Sequence, residues 1–118
     1  MKAKDLFGRQ GEILASDFLV AQGMRIVDRN WRCPEGEIDI VAIDGDTLVV
    51  AEVKTRRSLD YGHPFEAVGT AKLARLHKLA HSWCREHELR LARRRVDVVG
   101  VVDDGIGEPV LEHLRGVG

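Results

Sequence analysis

From Asp5 to Gln22 the apolar residues Phe7, Leu14, Phe18 and Leu19 recur at helical spacing, and Gly23 follows where a left-handed cap would end a helix. Met24 to Asp28 reads as a short strand, and Asn30 to Gly36, with Pro34, as a loop. The pattern then changes period. Gly36 to Ile43 alternates, with Glu37, Asp39, Val41 and Ile43 on one face and Ile38, Ile40 and Ala42 on the other, and Leu48 to Lys54 alternates likewise. Asp44-Gly45-Asp46 between them is a hairpin signal, so the two strands are expected to be antiparallel neighbours. Arg56 to Gly69, with Gly62, Pro64 and Gly69, has little periodicity and reads as an exposed loop. With Thr70 as N-cap, a second helix is predicted to about His87, turning Leu73, Leu76, Ala80 and Trp83 to the core. Arg85, Arg90 and Arg93 to Arg95 load its C-terminal end and the loop beyond. Val96 to Val102 is a further strand and Val110 to Leu114 an edge strand. This order predicts an α/β fold, a mixed β-sheet with flanking helices.

A length of 118 residues suits one domain, residues 1–118, and 44% apolar with 31% charged residues is a globular composition. No apolar run approaches the roughly 18 residues that cross a bilayer, and Met1 to Arg9 carries charges where a secretory segment is apolar, so no membrane and a cytoplasmic location are expected. Two cysteines, Cys33 and Cys84, make no disulfide framework. The net charge of −1 hides a pattern: residues 32–69 hold eight Asp and Glu against four Lys and Arg, whereas residues 70–95 hold eight Lys and Arg against two Asp and Glu. An acidic and a basic segment sharing a small domain suit a carboxylate metal site beside a phosphate-binding surface.

Asp39, Glu52 and Lys54 are the candidates for that chemistry. A turn at Gly45-Asp46 sets Asp39 opposite Glu52 and Glu37 opposite Lys54; a turn at Asp44-Gly45 makes Asp39 a diagonal neighbour of Glu52. Both registers keep the two carboxylates and Lys54 on one face. Two carboxylates about 4 Å apart repel by around 4 kcal/mol at an effective dielectric near 20. Lys54 compensates one charge, and Mg²⁺ or Mn²⁺ would supply two more, taking oxygen ligands from Asp39, Glu52 and a backbone carbonyl such as that of Val53 while retaining waters. Such an ion polarises a phosphate and acidifies a water. Glu12, on the small and apolar side of helix one with Gly8, Ala15 and Leu19, needs a partner there and is a candidate to complete the site. Taken alone, Glu-Val-Lys on a strand is most often a cross-strand ion pair; taken together on one face, these residues favour a site.

Other constellations carry less. His77, His81 and Cys84 at i, i+4 and i+7 on helix two raise a zinc site, but packing histidines beside a buried thiol is the better reading. No serine sits in a nucleophile elbow, and no glycine loop matches a Walker or dinucleotide motif. The basic set Lys72, Arg75, Lys78 and Arg93 to Arg95, with Arg56 and Arg57 after Lys54, suits a phosphate backbone, against the alternative of a solvated helix face. Trp31, Tyr61 and Phe65 are too few aromatics near loops for extensive base stacking.

Glu12, Gly36-Glu37-Ile38-Asp39 and Val50-Ala51-Glu52-Val53-Lys54-Thr55-Arg56 together resemble the PD-(D/E)XK nuclease superfamily. More closely, with Asn30-Trp31-Arg32, Lys72 and Arg95-Val96-Asp97-Val98-Val99, the chain resembles the uncharacterised YraN-type bacterial family, which is similar to Holliday-junction resolvases. The likeness covers roughly Gly8 to Val102. It implies a restriction-endonuclease-like three-layer core of order αβββαβ(β), with Asp39 and Glu52 as metal ligands and Lys54 as catalytic lysine. It further implies Glu12 as the helix-one acid, Lys72 as the assisting residue of helix two, DNA as partner, branched or junction DNA included, and a homodimer. The resulting expectation is a Mg²⁺- or Mn²⁺-dependent endonuclease, with Arg56, Arg57, Lys72 and Arg75 on nucleic acid. The rival is a non-catalytic nucleic-acid-binding or protein-interaction module on the same fold.

Overall fold

The computed structural model describes residues 3–60 and 62–118, so Met1, Lys2 and the loop aromatic Tyr61 lie outside the described residues. The elements run α1 (Ala3–Ala21), β1 (Arg25–Cys33), β2 (Gly36–Asp44), β3 (Thr47–Arg56), a 3₁₀ turn (Pro64–Ala67), α2 (Thr70–Glu86), β4 (Arg93–Val102) and β5 (Val110–Leu114). One sheet holds the strands in the order β1-β2-β3-β4-β5, antiparallel except where β4 lies parallel to β3 after the crossover through α2. This is the expected order. α1 covers one face and α2 the other. On the α1 side Ala15, Leu19, Ile40, Ala42, Val49, Ala51 and Val99 form one core. On the α2 side Ile38, Val41, Leu48, Val50, Leu76, Leu79, Trp83 and Val96 form the second. β3 lies between both, which is why Thr47 to Val53 is buried throughout rather than half-exposed as an alternating strand would be.

Several boundaries differ from the sequence expectation. The segment Asn30 to Gly36, expected as a loop, continues β1 to Cys33 and meets β2 through the two-residue turn Pro34-Glu35, Cys33 pairing with Gly36. Its breakers are absorbed locally: Asn30 takes φ 52° inside the strand, and Pro34 sits in the turn. Thr70 is the first residue of α2 and Gly69 its N-cap, with no side-chain cap bond. Arg93 to Arg95 belong to β4, not to the preceding loop. The β2–β3 turn is Gly45-Asp46, Gly45 taking φ 62° as in a II′ turn, which selects the register that sets Asp39 toward Glu52.

The alternation expected along β2 also breaks. Ile38 packs on the α2 side but Ile40 on the α1 side, although they are two residues apart and should share a face. The pleat slips at Asp39. In β1 the ladder passes from Arg29–Ile40 to Trp31–Ile38, so the residue between, facing Asp39, is the left-handed Asn30. On the other side, the β2–β3 ladder ends at Ile40–Ala51. Both expected pairs, Asp39–Glu52 and Glu37–Lys54, thus fall beyond the last ladder rung.

On the α1 face a charged network ties the sheet to the C-terminal segment. Asp97, fully buried, accepts hydrogen bonds from Arg95 Nε (3.0 Å), Arg95 Nη2 (3.3 Å), His113 Nε2 (2.8 Å) and the Gly116 N–H (3.0 Å). Arg95 also reaches Asp44 Oδ2 at 3.0 Å. Arg95 is therefore neutralised internally and leaves the basic set proposed for phosphate. A buried charge so completely partnered is tolerable, whereas removing one partner typically costs about 3–5 kcal/mol.

α1 reaches the sheet most closely at Gly11, where a methyl group would overlap Thr55 Oγ1 and come within 3.0 Å of Thr55 Cβ and Cγ2. Alanine in a helix gains up to about 1 kcal/mol over glycine, but overpacking against β3 costs about 1–3 kcal/mol, so the clash is expected to win. We predict that Gly11→Ala lowers stability by roughly 1–2 kcal/mol and that Gly11→Ala/Thr55→Ala regains most of it, as read by urea unfolding midpoints. Unchanged stability in the single variant would contradict this packing.

Candidate functional site

Where the β2–β3 ladder stops, a side chain takes over from the backbone. The Val53 N–H donates to Asp39 Oδ2 at 2.8 Å instead of to a carbonyl on β2. A strand residue's N–H and C=O point to the same side, so the Val53 carbonyl faces the same opening. The next residue on β3, Glu52, is 4% exposed. Its Oε1 lies 3.5 Å from Lys54 Nζ and 3.7 Å from Lys72 Nζ, ion-pair separations longer than a good hydrogen bond. Its Oε2 is buried with no hydrogen-bond partner among the described residues. Lys54 reaches Glu52 from the same strand face and Lys72 from the first turn of α2, so the two lysines converge from different elements.

Glu12 approaches from α1. Its carboxylate accepts a hydrogen bond from Asn30 Nδ2 at 2.7 Å, so the left-handed residue beside the slip is also the one that holds the helix acid. A cleft of about 470 Å³ is lined by Glu12, Glu37, Asp39, Glu52, Val53 and Lys54, with Arg56 and Lys72. A neighbouring hollow of about 440 Å³ shares Gly8, Glu12, Glu37 and Asp39 with it and extends to Arg9, Asn30 and Arg32. The structure thus gathers Glu12, Asp39, Glu52, Val53, Lys54, Arg56 and Lys72 in one place.

The other candidates disperse. Arg57 places its guanidinium 4.2 Å from the centroid of Phe7, another residue lining the cleft, so it sits at the rim in a cation–π contact. Arg75 is exposed on α2 beside Gly36 and does not line the cleft. Glu37, expected opposite Lys54, instead pairs with Arg32 at 3.5 Å. Among the described residues no three His, Cys, Asp or Glu side chains form a ready-made cation cage, zinc cluster included. His77 Nε2 contacts the Val117 and Gly118 carbonyls, and His81 accepts from Arg94.

Crowding of acids raises their proton affinity. Burial, and then the charge of Glu52, push the Asp39 carboxyl up to about 7, although the hydrogen bond from Val53 opposes the change. Glu12 is raised by burial and by the charges of Glu37 and Glu52, with Arg9 and the Asn30 hydrogen bond acting the other way. A divalent cation would remove that repulsion. The donor set fits one: two carboxylates, one carrying an unpartnered buried oxygen, and a backbone carbonyl aimed at the same opening. Mg²⁺ commonly takes only one or two carboxylates and keeps several waters, so a protein cage of three ligands is not required. Asn30 and Glu37 are site residues that the sequence reading left out. Both stand in stretches that carry the family resemblance, and Asn30 could have been found from its place opposite Asp39 once β1 was extended.

The family model for the uncharacterised protein family UPF0102 matches residues 11–101. A UPF0102 protein of Paenarthrobacter aurescens is 78% identical over 117 residues, covering 99% of this chain and 97% of the relative. One from Arthrobacter sp. strain FB24 is 75% identical across the full length of both chains. One from Streptomyces griseus is 51% identical over 99% of each. The matched region begins at Gly11, where α1 meets β3, and takes in Glu12, Asp39, Glu52, Lys54 and Lys72. The chain belongs to the UPF0102 family, and its acid cleft lies within the segment that defines that membership.

Proposed function

We propose that the chain is a Mg²⁺- or Mn²⁺-dependent nuclease that hydrolyses phosphodiester bonds of DNA, branched DNA included, in the Glu12–Asp39–Glu52–Lys54 cleft. The observation that carries this reading is Glu52: a buried carboxylate with one oxygen unpartnered and the other flanked by two lysines, across an opened ladder from Asp39. The other buried carboxylate of the sheet, Asp97, has both oxygens occupied. Asp39, Glu52 and the Val53 carbonyl would hold the ion, which when bound supplies a Lewis acid and a more acidic water. Lys54 places positive charge where the phosphorane develops its negative charge, and it is kept at that position by Glu52. Glu12, oriented by Asn30, faces the cleft as an acceptor for a proton of the attacking water. In the hydrolysis that follows, water oxygen bonds to phosphorus while its proton passes to Glu12, the ester P–O bond breaks, and the departing alkoxide takes up a proton from solvent water. Arg56 and Lys72, lining the same cleft, neutralise the flanking phosphates.

A second reading, a protein-interaction module that keeps this fold without cutting, is favoured by the net charge of −1, which gives the whole chain no field to hold DNA. The two readings part on one assay. The purified protein with Mn²⁺ or Mg²⁺ is expected to cut at least one of a panel of junction, flap, single-stranded and duplex DNAs. Asp39→Ala/Glu52→Ala and Lys54→Ala are each expected to lower the rate on the order of 10²–10⁴-fold. Cutting that is equal in wild type and double variant comes from a contaminant, and the absence of cutting on every substrate under either metal favours the module.

The raised proton affinity of Asp39 adds a prediction about stability. A carboxyl that binds its proton more tightly in the folded state holds it where the unfolded chain has released it, so folding is favoured at low pH and that advantage is lost as pH rises toward about 7. Without metal, stability should fall by a few kcal/mol at most, with a slope no steeper than about 1.4 kcal/mol for each step of one in pH, between about pH 4 and pH 7. Asp39→Asn should flatten that slope, and Mn²⁺ should raise the midpoint at about pH 8 in wild type but not in Asp39→Asn/Glu52→Gln. Thermal melts across pH, with and without the ion, measure all three.

A further inference from the structure

A cavity larger than the acid cleft lies elsewhere on the molecule. It measures about 680 Å³ and lies at the far end of α2, lined by His81, Cys84, Glu88 and the four arginines Arg85, Arg90, Arg93 and Arg94. Glu88 is the one carboxylate of its lining. The ion pairs among the described residues engage Arg32, Lys54, Lys72, Arg95 and Arg115 of the lysines and arginines, and none of the four cavity arginines has a carboxylate within 4.0 Å. Arg94 places one nitrogen on the ring of His81 at 3.0 Å and lies beside the Cys84 thiol, with no carboxylate partner among the described residues.

α2 connects this cavity to the acid cleft. Lys72, Arg75, Lys78 and His81 follow one another at steps of three, and residues so spaced form a continuous ridge that winds across a helix surface. The ridge starts at Lys72 inside the acid cleft, crosses the exposed Arg75 and Lys78, and ends at His81 against Arg94. Thirteen residues separate Lys72 from Arg85, about 20 Å of helix at 1.5 Å per residue. That is the axial length of about six base pairs. Cations arranged in a line, of which only Lys72 has an ion-pair partner among the described residues, and ending in a pocket of guanidinium forks, match a chain of phosphates better than a single small anion.

We propose that the Lys72–His81 ridge and the arginine cavity form a track for a nucleic-acid backbone, anchoring it about 20 Å from the acid cleft. The proposal extends the nuclease reading by giving its substrate a second point of attachment, but its test needs no cutting. The full chain in EDTA is titrated into a fluorescent 20-base-pair duplex over a series of NaCl concentrations, as wild type, Arg90→Ala/Arg93→Ala, and the charge-matched control Arg25→Ala/Arg29→Ala on β1. All four positions are exposed, and circular dichroism confirms folding. The cavity variant is expected to show a log K against log salt slope shallower by about 2, near 0.9 per lost phosphate contact, with the control unchanged. A wild-type slope in the cavity variant, or a loss no greater than the control's, overturns the proposal. In a second arm, tripolyphosphate that raises the melting temperature of wild type but not of the cavity variant, while the DNA slope stays the same in both, assigns the cavity to a free polyphosphate and overturns it equally. An inactive Asp39→Ala protein should keep the full slope, so failure of the nuclease reading and failure of the track are separable.

Discussion

The opening of the sheet at one rung is the constraint on which the site depends. A ladder that continued past Ile40–Ala51 would pair the Val53 N–H with a β2 carbonyl and close the gap between the strands. Instead Asp39 uses its side chain to satisfy that N–H, and the strand face slips by one residue beside a left-handed Asn30. An unpaired buried backbone donor would cost about 1–3 kcal/mol, so the substitution of a carboxylate for a carbonyl keeps the opening tolerable. It also directs one oxygen of Asp39 inward and leaves the other for the cleft. Asn30, from the opposite strand, holds Glu12. One irregularity thereby positions two of the acids and exposes the backbone carbonyl between them and Glu52.

The remaining geometry follows from where each element is anchored. Glu52 and Lys54 stand on the central strand, whose neighbours on both sides and both faces are packed, so neither can drift far. Glu12 is set by the close seating of Gly11 on Thr55. Lys72 comes from the start of α2, the element that carries the chain from β3 back to β4. Four carboxylates therefore face one cleft, with the lysines drawn from two elements, and the proton affinity of Asp39 records the imbalance. The Asp97 network, on the α1 face, is the contrasting case. There Arg95, His113 and a backbone N–H occupy both oxygens, and the charge has a structural role with nothing left to offer a ligand.

Much of this was legible in the residue pattern, and the failures have identifiable causes. Glu52 and Lys54 could be placed on one face because β3 keeps a strict pleat through them. Asp39 could be brought near Glu52 because both registers open to the hairpin keep the two carboxylates on one face, and the structure selects the Gly45-Asp46 turn. What could not be read was the slip, since alternation assumes a regular strand and Asn30 and Pro34 look like loop residues when their strand partner is unknown. Arg95 looked like its neighbours Arg93 and Arg94; only the fold shows that it turns toward Asp97 and Asp44 while they remain at the cavity. Glu37 was visible only as a cross-strand partner, and the loss of that pairing moved it to Arg32 and the cleft rim.

The near-neutral total charge is the strongest sequence argument against a nucleic-acid partner, and the placement of the charges weakens it. A field acts locally: beyond a Debye length of about 8 Å at physiological ionic strength, exposed charges are largely screened from one another. The acid cleft and the arginine cavity stand about 20 Å apart along α2, more than twice that length. The negative charges near Asp39 therefore do little to cancel the attraction at Arg90 and Arg93, and Asp97 cancels only Arg95. A backbone lying along α2 would meet positive charge at Lys72, Arg75 and Lys78 and at the cavity, and negative charge at the cleft, which a bound divalent cation would offset. The separation would allow a chain with almost no net charge to offer a polyanion a line of cations winding across α2, set apart from the acids at its other end.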